Sequence, residues 1–477
     1  MGRVAYTSAV CAAFLLCATP ALAQDGGVQD AGPGFIPSRI DGGLSDQSDD
    51  PDQSDDWGES DDWDESDDWG ESDDERAPSV RIHGSFENQF TGMWLRLYNG
   101  GERFSVYDST RIRVDLDADL PGGLKLRSDA VARLFVGETE LYLVNLIPAK
   151  TFDDLLERDP RWAITAEDKY ELENEYYIDN VYLKVPISKV LVVLGKQPLE
   201  QGAGYAWNPT DVFTEKDMFD PTYEKEGVIA LRAVIPIGDT FSFDLAGVPD
   251  GSFEKWTGGG RAALRVGPLS LSAASYVTQV SKTDLEGSMD DIMLAALEGR
   301  DSEDAIHKTS AQRVMVGGDA VLDIKGVRLW AEGAYNFIED KDGAPDDWWE
   351  LVSGVEYYFP FETHVMAEYY HYGRGPNQHG GTYDFNDWMG LLSMDLKMLG
   401  RDFLFESIDH PVADFWTLGL SSFQSISDAS AAIMADVRWE FVQDAELWLL
   451  VSAAAGEPDD FLSSARGQAW LRLKAYF

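Results

Sequence analysis

From Val80 to Phe477, hydrophobic and polar side chains alternate along short segments of the sequence. In TRIRVDLDADL, residues 110–120, the apolar side chains fall on one face of an extended strand and the charged ones on the other, because successive side chains point to opposite sides. A turn at 121–123 follows, and LKLRSDAVARLFV, residues 124–136, alternates again. The pattern predicts a β-hairpin with one apolar and one charged face.

The connections between the predicted strands are of two kinds. Tight turns alternate with long polar stretches, at roughly residues 137–172, 198–225, 281–310 and 374–400. Aromatic residues cluster near strand ends, as at Tyr357–Phe359. A soluble antiparallel sheet also alternates, but short turns on one rim, long loops on the other and strands of about ten residues are typical of an outer-membrane β-barrel.

We therefore predict an all-β fold, a transmembrane antiparallel β-barrel over residues 79–477. Counting the alternating segments gives 18 strands, an even number that returns the last strand to the rim where the first begins. The segment WMGLLSMDLKML, residues 388–399, is assigned to a long outer loop, with a helix as one option. If this segment were a strand, a barrel of 16 strands would result.

The sequence ends on QAWLRLKAYF, residues 468–477, which alternates up to its last residue. This segment resembles the terminal strand of bacterial outer-membrane proteins, which ends on an aromatic residue, most often Phe. The resemblance implies that the barrel-assembly machinery recognises Phe477. It also implies that the chain lies among the lipids of the outer membrane of a Gram-negative bacterium.

Residues 1–23 are typical of a secretory signal peptide. Arg3 precedes an apolar stretch and a small-residue pattern at 21–23, after which we expect cleavage. Cys11 and Cys17 both lie in this segment, so the mature chain has no cysteine and no disulfide. After it, no apolar run reaches the roughly 18–20 residues of a transmembrane helix. These features leave a soluble periplasmic protein or an outer-membrane barrel, and the strand pattern favours the barrel.

Residues 24–78 are predicted to form a disordered acidic tail in the periplasm. SDDWGE-type repeats begin at Ser54, and residues 24–75 carry 20 Asp and Glu residues against one basic residue, Arg39. A segment with many charges of one sign and few hydrophobic residues gains too little free energy from burial to offset the conformational entropy that it would lose on folding. Two interpretations stay open: a solvated spacer, or a docking segment that binds a basic periplasmic partner or holds divalent cations.

Two internal stretches resemble uncharacterised porin-like outer-membrane families. GKQPLEQGAGYAWNPTDVF, residues 195–213, with Glu226–Gly227 opening the next strand, resembles a loop motif of those families. LGRDFLFESID, residues 399–409, and SISDAS, residues 425–430, are similar to their C-terminal half. The resemblance covers most of residues 80–477 and implies a porin-like barrel, but it identifies neither a substrate nor functional residues.

The first of these stretches has the composition of a structured loop. Asn208–Asp211 favours a turn, since Asn and Asp side chains bond to nearby backbone and proline fixes φ, and Gly202 and Gly204 allow close backbone approach. A loop folded into the lumen would narrow the pore, whereas the alternative is a loop that only packs against the barrel wall. The candidate constriction residues are Trp207, Asn208 and Asp211.

The charged strand faces supply the candidate pore-lining residues, since the apolar faces would meet lipid. These candidates are Arg111, Arg113, Asp115, Asp117, Asp119, Arg127, Asp129, Arg133, Arg313, Asp319, Arg328, Glu332, Asp436, Arg438 and Arg472. Rings of charge set ion selectivity and orient solutes in a pore. The same residues could instead pair across strands and simply keep the lumen wet.

Residues 76–477 carry 65 acidic and 36 basic residues, with much of the excess in the predicted outer loops. Because the field of a charged protein concentrates counter-ions, we expect a cation-preferring pore. The sequence has neither a Gly-x-Ser-x-Gly elbow nor a His-Glu-x-x-His pair, so we expect no enzyme. His364 and Glu368 share one strand face, but a lone strand histidine is more typical of a satisfied polar residue than of a ligand. We expect no metal site, no cofactor and no nucleic-acid partner.

These features together predict a porin-like channel for passive diffusion of small hydrophilic solutes or ions. One alternative is a substrate-specific exporter or importer, for example of an anionic polysaccharide, in which the arginines would form a track. Another is a membrane-anchored scaffold that recruits a partner through the acidic tail. The sequence leaves the solute, the pore diameter and the oligomeric state open.

Overall fold

The computed structural model describes residues 78–96, 101–162, 169–214, 227–250, 253, 255–298, 305–379, 381–457, 459–462 and 465–477. The signal peptide at 1–23 and the acidic tail, apart from Pro78, lie outside the described residues, as does Glu226 of the Glu226–Gly227 pair. What the sequence indicates for those segments therefore stays a prediction.

Eighteen strands form one antiparallel sheet, and two further short strands, β4 and β5, pair with each other. The strands are β1 Ser79–Arg96, β2 Glu102–Leu120, β3 Leu124–Gly137, β4 Glu140–Tyr142, β5 Lys169–Glu171, β6 Glu175–Ile187, β7 Val190–Gln197, β8 Val228–Ile237, β9 Phe241–Pro249, β10 Trp256–Val266, β11 Leu269–Asp284, β12 His307–Ile324, β13 Val327–Ile338, β14 Trp348–Tyr358, β15 His364–Tyr372, β16 Asp402–Ala413, β17 Trp416–Ser425, β18 Ser430–Val442, β19 Ala445–Ala455 and β20 Ala465–Tyr476. The prediction of 18 strands is confirmed. The alternative of 16 is wrong, because residues 388–399 lie in the connection between β15 and β16.

Within the described residues, the helices lie in the long connections. They are a 3₁₀ turn Leu143–Leu146, α1 Ala149–Arg158, α2 Leu285–Glu298 and α3 Phe385–Leu392. α3 begins at a capping box, in which Asp384 Oδ1 accepts from Asp387 N at 2.9 Å and Asp387 Oδ2 accepts from Asp384 N at 3.1 Å. No helix in this part of the chain is long and apolar enough to cross a membrane.

The sheet closes into a barrel because its first and last strands pair. β1 is paired with β2 along its whole length, and with β20 from Ser85–Tyr476 to Leu95–Ala465. The seam extends to the last residue, where Gly84 N donates to Phe477 O at 2.9 Å and Phe477 N donates to Gly84 O at 3.0 Å. The strand predicted from QAWLRLKAYF is therefore the strand that closes the barrel.

The two ends of the barrel differ in their connections, as the sequence predicts. At one end, which we call the short-turn rim, the strands are joined by turns of two to five residues. Lys325 and Gly326 form one of these turns, and both have positive φ, at 52° and 80°, as a two-residue type I′ turn requires. The other end, the long-loop rim, carries all the connections longer than five residues, with α1, α2 and α3, although β17 and β18 are joined there by only four residues.

The apolar strand faces point out of the barrel. On β2, Ile112 and Val114 are 39% and 41% exposed, whereas the alternating residues Arg111 and Arg113 are 7% and 0% exposed. The predicted division into an apolar exterior and a charged inner wall is therefore present on this strand. An exterior of this kind suits hydrocarbon, since lipid cannot satisfy polar groups.

The interior of the barrel is not polar throughout. Toward the long-loop rim, inward side chains of β14–β17 are aromatic, and side chains from the long connections pack against them. We call this apolar group the lumen cluster; its members include Phe152, Leu155, Trp162, Trp348, Tyr370, Phe385, Trp388, Phe403 and Phe423. The expectation of a charged lumen therefore holds for the inner wall nearer the short-turn rim and fails here.

Candidate functional site

A buried charge network lies on the inner wall of β2, β3 and β6. Arg113 Nε donates to Asp115 Oδ1 at 2.6 Å, and Arg113 Nη2 donates to Asp129 Oδ2 at 2.7 Å. Arg113 Nη1 lies 3.8 Å from Asp179 Oδ2, and all three side chains of Arg113, Asp129 and Asp179 have no exposed surface. Charges this deeply buried are tolerated only when they are paired and hydrogen-bonded.

Asp179 departs from the alternation of inward and outward side chains because of a β-bulge. The register between β3 and β6 shifts between Asp129 and Ala130, and Asp179 and Asn180 are both buried although they are neighbours in sequence. Asn180 Nδ2 then donates to Asp129 Oδ2 at 2.8 Å. Strict alternation sends one of two neighbours outward, so sequence reasoning missed Asp179 as a wall residue.

Most other predicted wall residues stand in ion pairs, many of them across neighbouring strands. With distances measured from guanidinium nitrogen to carboxylate oxygen, the pairs are Arg127 with Asp129 at 3.5 Å and with Asp117 at 3.9 Å, Arg261 with Asp319 at 3.2 Å, Arg328 with Glu356 at 4.0 Å, Arg438 with Asp409 at 3.0 Å and with Asp436 at 3.5 Å, and Arg472 with Glu87 at 3.5 Å. This arrangement is the pairing alternative of the two that the sequence left open. The wall charges are therefore locally neutralised.

The remaining candidates are distributed over different heights of the wall. Arg111 and Arg133 face each other in the β2–β3 register and are buried. Asp119 accepts a hydrogen bond from the Ser79 hydroxyl at 2.6 Å near the short-turn rim. Arg313 lies in the long-loop half, 5.4 Å from an indole ring of the lumen cluster. The predicted wall residues thus do not converge on one binding site.

The connection between β7 and β8 lies inside the barrel. Its described part, residues 198–214, contacts inward side chains of β11, β13, β15, β16 and β17. Seven strands, β8 to β14, separate β7 from β15 around the ring of eighteen, so this segment crosses to nearly the opposite wall. We call residues 198–214 the crossing loop.

Glu332, from the middle of β13, holds the crossing loop by four hydrogen bonds. Its carboxylate accepts from the backbone N–H groups of Ala203 at 2.7 Å, Gly204 at 3.2 Å and Thr210 at 2.7 Å, and from the Thr210 hydroxyl at 2.8 Å. Glu332 is 1% exposed. Hydrogen bonds to an ionised acceptor are roughly twice as strong as neutral ones. Glu332, one of the predicted pore-lining candidates, is therefore an anchor for the loop.

Glu368, from β15, holds the next residues of the loop in the same way. Its carboxylate accepts from the backbone N–H groups of Tyr205 at 2.6 Å, Ala206 at 2.8 Å and Trp207 at 3.1 Å. It also accepts from Trp330 Nε1 at 2.5 Å. Glu368 and His364 share one strand face, as predicted, and both are buried, but the role of Glu368 as a loop anchor was not predicted.

Aromatic packing fixes the crossing loop against the far wall. The Trp207 ring stacks on Tyr370, with centroids 5.1 Å apart and planes 20° apart, and lies 5.6 Å from Phe423. Tyr205 stacks on Phe405 at 5.6 Å. The loop is therefore part of the lumen cluster as well as of the two carboxylate sites.

The three predicted constriction residues have different surroundings. Trp207 is 7% exposed and packed in the lumen cluster. Asn208 accepts from Asp211 N at 3.1 Å through its backbone carbonyl, and Asp211 accepts from Phe213 N at 3.0 Å and Thr214 N at 3.2 Å. The turn predicted from Asn208–Asp211 is present, and the Asp211 carboxylate stabilises it. The loop both packs on the wall and occupies the lumen, so the two interpretations are not exclusive.

Water contact with the wall decreases toward the crossing loop. Near the short-turn rim, the side chain of Asp117 is 25% exposed. Gln89, Asn180 and Glu332, farther along the wall, are each 1% exposed. At this level Gln89 donates to Thr91 and accepts from Arg472, and Asn180 donates to Asp129. The crossing loop therefore lies at a level where these wall side chains have almost no contact with water.

The long-loop rim is covered by the three helices. Trp162, after α1, lies 4.9 Å from Phe385 of α3, and Arg161 Nη1 donates to Asp290 of α2 at 2.6 Å. Hydrogen bonds from Arg161 lower the pKa of Asp159 below its usual range. In α3, burial and the neighbouring charge of Asp384 raise the pKa of Asp387 to about 6. The helices thus join three separate connections into one cap.

His364 does not gather a metal-binding group. Its Nε2 lies 3.1 Å from Glu356, and its Nδ1 lies 3.9 Å from Asp409. Within the described part of the chain, no set of three or more His, Cys, Asp or Glu side chains has the geometry to hold a metal ion.

Comparison with known proteins gives similarity at the level of the barrel. No protein-family model and no curated protein matches the sequence. Among solved structures, OccK11 (OpdR) of Pseudomonas aeruginosa is 11% identical with a TM-score of 0.48, over 83% of this chain and 96% of that one. OccK5 (OpdH) of the same organism is 8% identical with a TM-score of 0.47, over 84% and 97%. A loop L8 deletion mutant of OmpT, an outer membrane protein of Vibrio cholerae, is 12% identical with a TM-score of 0.40, over 84% and 100%.

Proposed function

We propose that the chain is an outer-membrane channel for small hydrophilic solutes or ions, and that the crossing loop controls the width of the passage. The observation that carries the proposal is the loop itself, which spans the lumen and is held by Glu332 and Glu368. A barrel that needed only to anchor a tail would not require a long connection fixed across its interior. The alternative of a membrane-anchored scaffold stays open for experiment.

The placement in the outer membrane follows from the surface of the barrel. Outward residues such as Ile112 and Leu420 are exposed, at 39% and 50%, and suit contact with outer-membrane lipid. Phe477, 65% exposed at the end of β20, is the residue that the assembly machinery of a Gram-negative bacterium would recognise. The acidic tail then extends into the periplasm, available to a partner or to divalent cations.

The wall charges support a general pore more than a selective track. Arg261, Arg328, Arg438 and Arg472 each face a carboxylate, which disfavours a continuous basic track for an anionic polysaccharide. Because these wall charges are paired, the acidic outer connections would determine the ion selectivity. Residues 76–477 carry 65 acidic and 36 basic residues, and this excess of negative charge favours cations. We therefore propose cation preference and no enzymatic activity.

The test is single-channel conductance of the mature chain, residues 24–477, refolded into a planar bilayer under a salt gradient. We expect a small conductance with a cation-selective reversal potential, and a clearly larger conductance for Glu332→Gln/Glu368→Gln. Glu350→Gln is the matched control, because Glu350 is also a buried inner-wall carboxylate but accepts from Trp348 and Tyr370 and not from the loop. No conductance in any of these proteins would refute the channel and favour the scaffold.

A further inference from the structure

The inner wall beside the short-turn rim has an apolar patch on β6, β7 and β8. Tyr182, Leu191 and Val193 are 6%, 8% and 4% exposed and pack together, and Val234 packs against them. Leu194, the next residue along β7, is 43% exposed and points outward, so Leu191 and Val193 face the interior. Leu191 is the second residue of β7, which places the patch at the mouth of the barrel. The barrel therefore has a small apolar surface at this mouth, in addition to the lumen cluster.

Two lysines lie directly beside this apolar surface. Lys125 of β3 faces Lys184 of β6 in the strand register, and Lys184 faces Val193. On its other side, Lys125 faces Asp119 of β2, so this row has two cations and one carboxylate. Like charges directly opposite each other in a sheet are destabilising, and an anion close to both relieves their repulsion. We call these two lysines and the four apolar residues the mouth patch.

The charges of the short-turn rim are unevenly distributed around the barrel. Next to the rim, β3, β6 and the turn between β6 and β7 carry the basic residues Lys125, Arg127, Lys184 and Lys189. The arc from β14 to β19 instead carries acidic residues in its turns and at its first inward positions: Glu362, Asp414, Glu440, Asp444 and Glu446. An acidic segment at this rim is therefore attracted to the side of the mouth patch and repelled by the other side.

The segment that precedes β1 has the complementary composition. Residues 24–77, outside the described residues, join the barrel next to the short-turn rim, since Ser79 is paired with Asp119 near the end of β2. In the repeats, each tryptophan directly follows an Asp and has a Glu two positions after it, as at Trp69. A large apolar ring with carboxylates on both sides matches an apolar surface with lysines beside it.

The tail is long enough to reach the mouth patch. β7 lies four strands from β1 in the ring, through β2, β3 and β6. For eighteen strands about 4.8 Å apart and tilted by about 40°, this separation is roughly 25 Å across the mouth. Trp69 is ten residues from Ser79. Ten extended residues span up to about 33 Å, so the connection brings Trp69 to the patch with length to spare.

We propose that the acidic tail binds the mouth patch of its own barrel. A tryptophan of the repeats packs on Leu191, Val193 and Val234, and its flanking carboxylates pair with Lys125 and Lys184. The patch accommodates one indole ring at a time, and the three successive repeats keep the effective concentration of this ring high. The bound tail lies across the short-turn mouth of the barrel. The proposal thus gives the channel an occupant at that mouth, but it does not depend on conduction.

Disulfide formation tests the binding directly, because the mature chain has no cysteine of its own. We would combine Gly70→Cys, beside the last tryptophan of the repeats, with Leu191→Cys in the mature chain folded in lipid vesicles. The matched control is Gly70→Cys/Thr417→Cys. Thr417 is also the second residue of its strand and faces inward Arg438, and β17 lies four strands from β1 on the other side.

We expect the pair with Leu191→Cys to form an intramolecular disulfide at least about tenfold faster than the pair with Thr417→Cys, since binding concentrates the tail at one side of the mouth. Non-reducing gel mobility of the unfolded chain measures the linked fraction with time. Equal rates for the two pairs, or no link in either, would overturn the proposal.

The mobility of a spin label attached at Gly70→Cys provides the second test. We expect an immobilised label in the otherwise native chain and a mobile one in Lys125→Glu/Lys184→Glu. Arg265→Glu/Lys325→Glu makes the same change of charge near the same rim but outside the patch, so it should leave the label immobilised. A label that is mobile in the purified native protein would contradict the binding. Immobilisation only after addition of calcium or of a basic protein would assign the tail to that partner instead, whatever the conductance.

Discussion

Single carboxylates position the crossing loop, and we expect the removal of one of them to lower the local stability of the loop. In Glu368→Gln, the side chain keeps its shape but loses its charge, and one of its oxygen acceptors becomes an N–H₂ group that faces the donors Tyr205 N, Ala206 N and Trp207 N. Hydrogen bonds to a charged group contribute about 1.5–3 kcal/mol each. We expect the loop amides to exchange with solvent roughly 30- to 100-fold faster in this variant, a loss of about 2–3 kcal/mol.

Hydrogen–deuterium exchange measured by mass spectrometry on peptides that cover 203–210 makes this comparison. Glu332→Gln should accelerate exchange at Ala203, Gly204 and Thr210, and Glu350→Gln should leave the whole loop protected, because Glu350 does not accept from it. Uniform acceleration in all three variants would mean that any lost wall carboxylate loosens the barrel. The carboxylates would then have no specific role as anchors.

Gly202 shows how closely the loop approaches its anchor. Its φ is +101°, and a Cβ added there would lie 2.5 Å from Glu332 Oε2. Gly202→Ala therefore combines backbone strain with a clash against the buried carboxylate. Gly238→Ala is the matched control, because Gly238 also has positive φ, +65°, but a Cβ there would meet open space. We expect backbone strain to lower the free energy of unfolding of both variants by about 1 kcal/mol.

The difference in stability between Gly202→Ala and Gly238→Ala measures the clash with Glu332. In urea unfolding of the protein in lipid vesicles, Gly202→Ala should be destabilised by at least about 1 kcal/mol more than Gly238→Ala, a size usual for overpacking at a buried site. If the two variants lose the same stability, the loop moves away from Glu332 without penalty. The four hydrogen bonds of that anchor would then be worth little.

At the scale of elements, alternation predicts the strands because each strand has one face toward lipid and one toward the interior. It does not predict which inward residues join the lumen cluster, as Tyr370 of β15 does. It also fails at the bulge that turns Asp179 inward. The loop anchors were hidden for a different reason: Glu368 lies 163 residues along the chain from Tyr205, and periodicity carries no information about so distant a contact.

Helix α3 is the element whose stability should change most clearly with pH. The pKa of Asp387 is raised by burial, and then by Asp384, from 3.8 to about 6, while His379 acts in the opposite direction. The folded segment therefore binds a proton at a higher pH than the unfolded segment does. Its stability is gained as pH falls through about 6, is complete below 3.8, and is lost again as pH rises.

Amide exchange of α3 at pH 5 and pH 7, corrected for the intrinsic rate, measures this effect. Because Asp387 is only partly buried, we expect about 1 kcal/mol of additional protection at pH 5, near a factor of five, after allowance for solvent screening. Asp387→Asn should abolish the pH dependence while keeping an acceptor for Asp384 N. A native α3 that exchanges equally at both pH values would show that the carboxyl relaxes toward water.

At the scale of the whole molecule, the barrel depends on one seam, and Phe477 is part of it. The backbone of Phe477 exchanges two hydrogen bonds with Gly84, and a Cβ at Gly84 would lie 2.8 Å from the Phe477 ring. The same residue is the proposed signal for the assembly machinery. Closure and recognition can be separated, because refolding from urea into lipid vesicles requires no machinery, whereas insertion in cells does.

We expect deletion of Phe477 to slow or reduce closure in vitro, since the two backbone bonds at the end of β20 are lost. Phe477→Ala keeps those bonds and should fold nearly normally in vitro, yet reach the outer membrane in much smaller amounts, because the ring that the machinery would recognise is missing. Resistance of the folded barrel to denaturation in cold SDS, scored by gel mobility, reports both outcomes. If Phe477→Ala accumulates in cells at the native level, recognition does not depend on this ring. A normal refolding yield for the deletion would instead show that the seam from Ser85 to Leu95 is sufficient for closure.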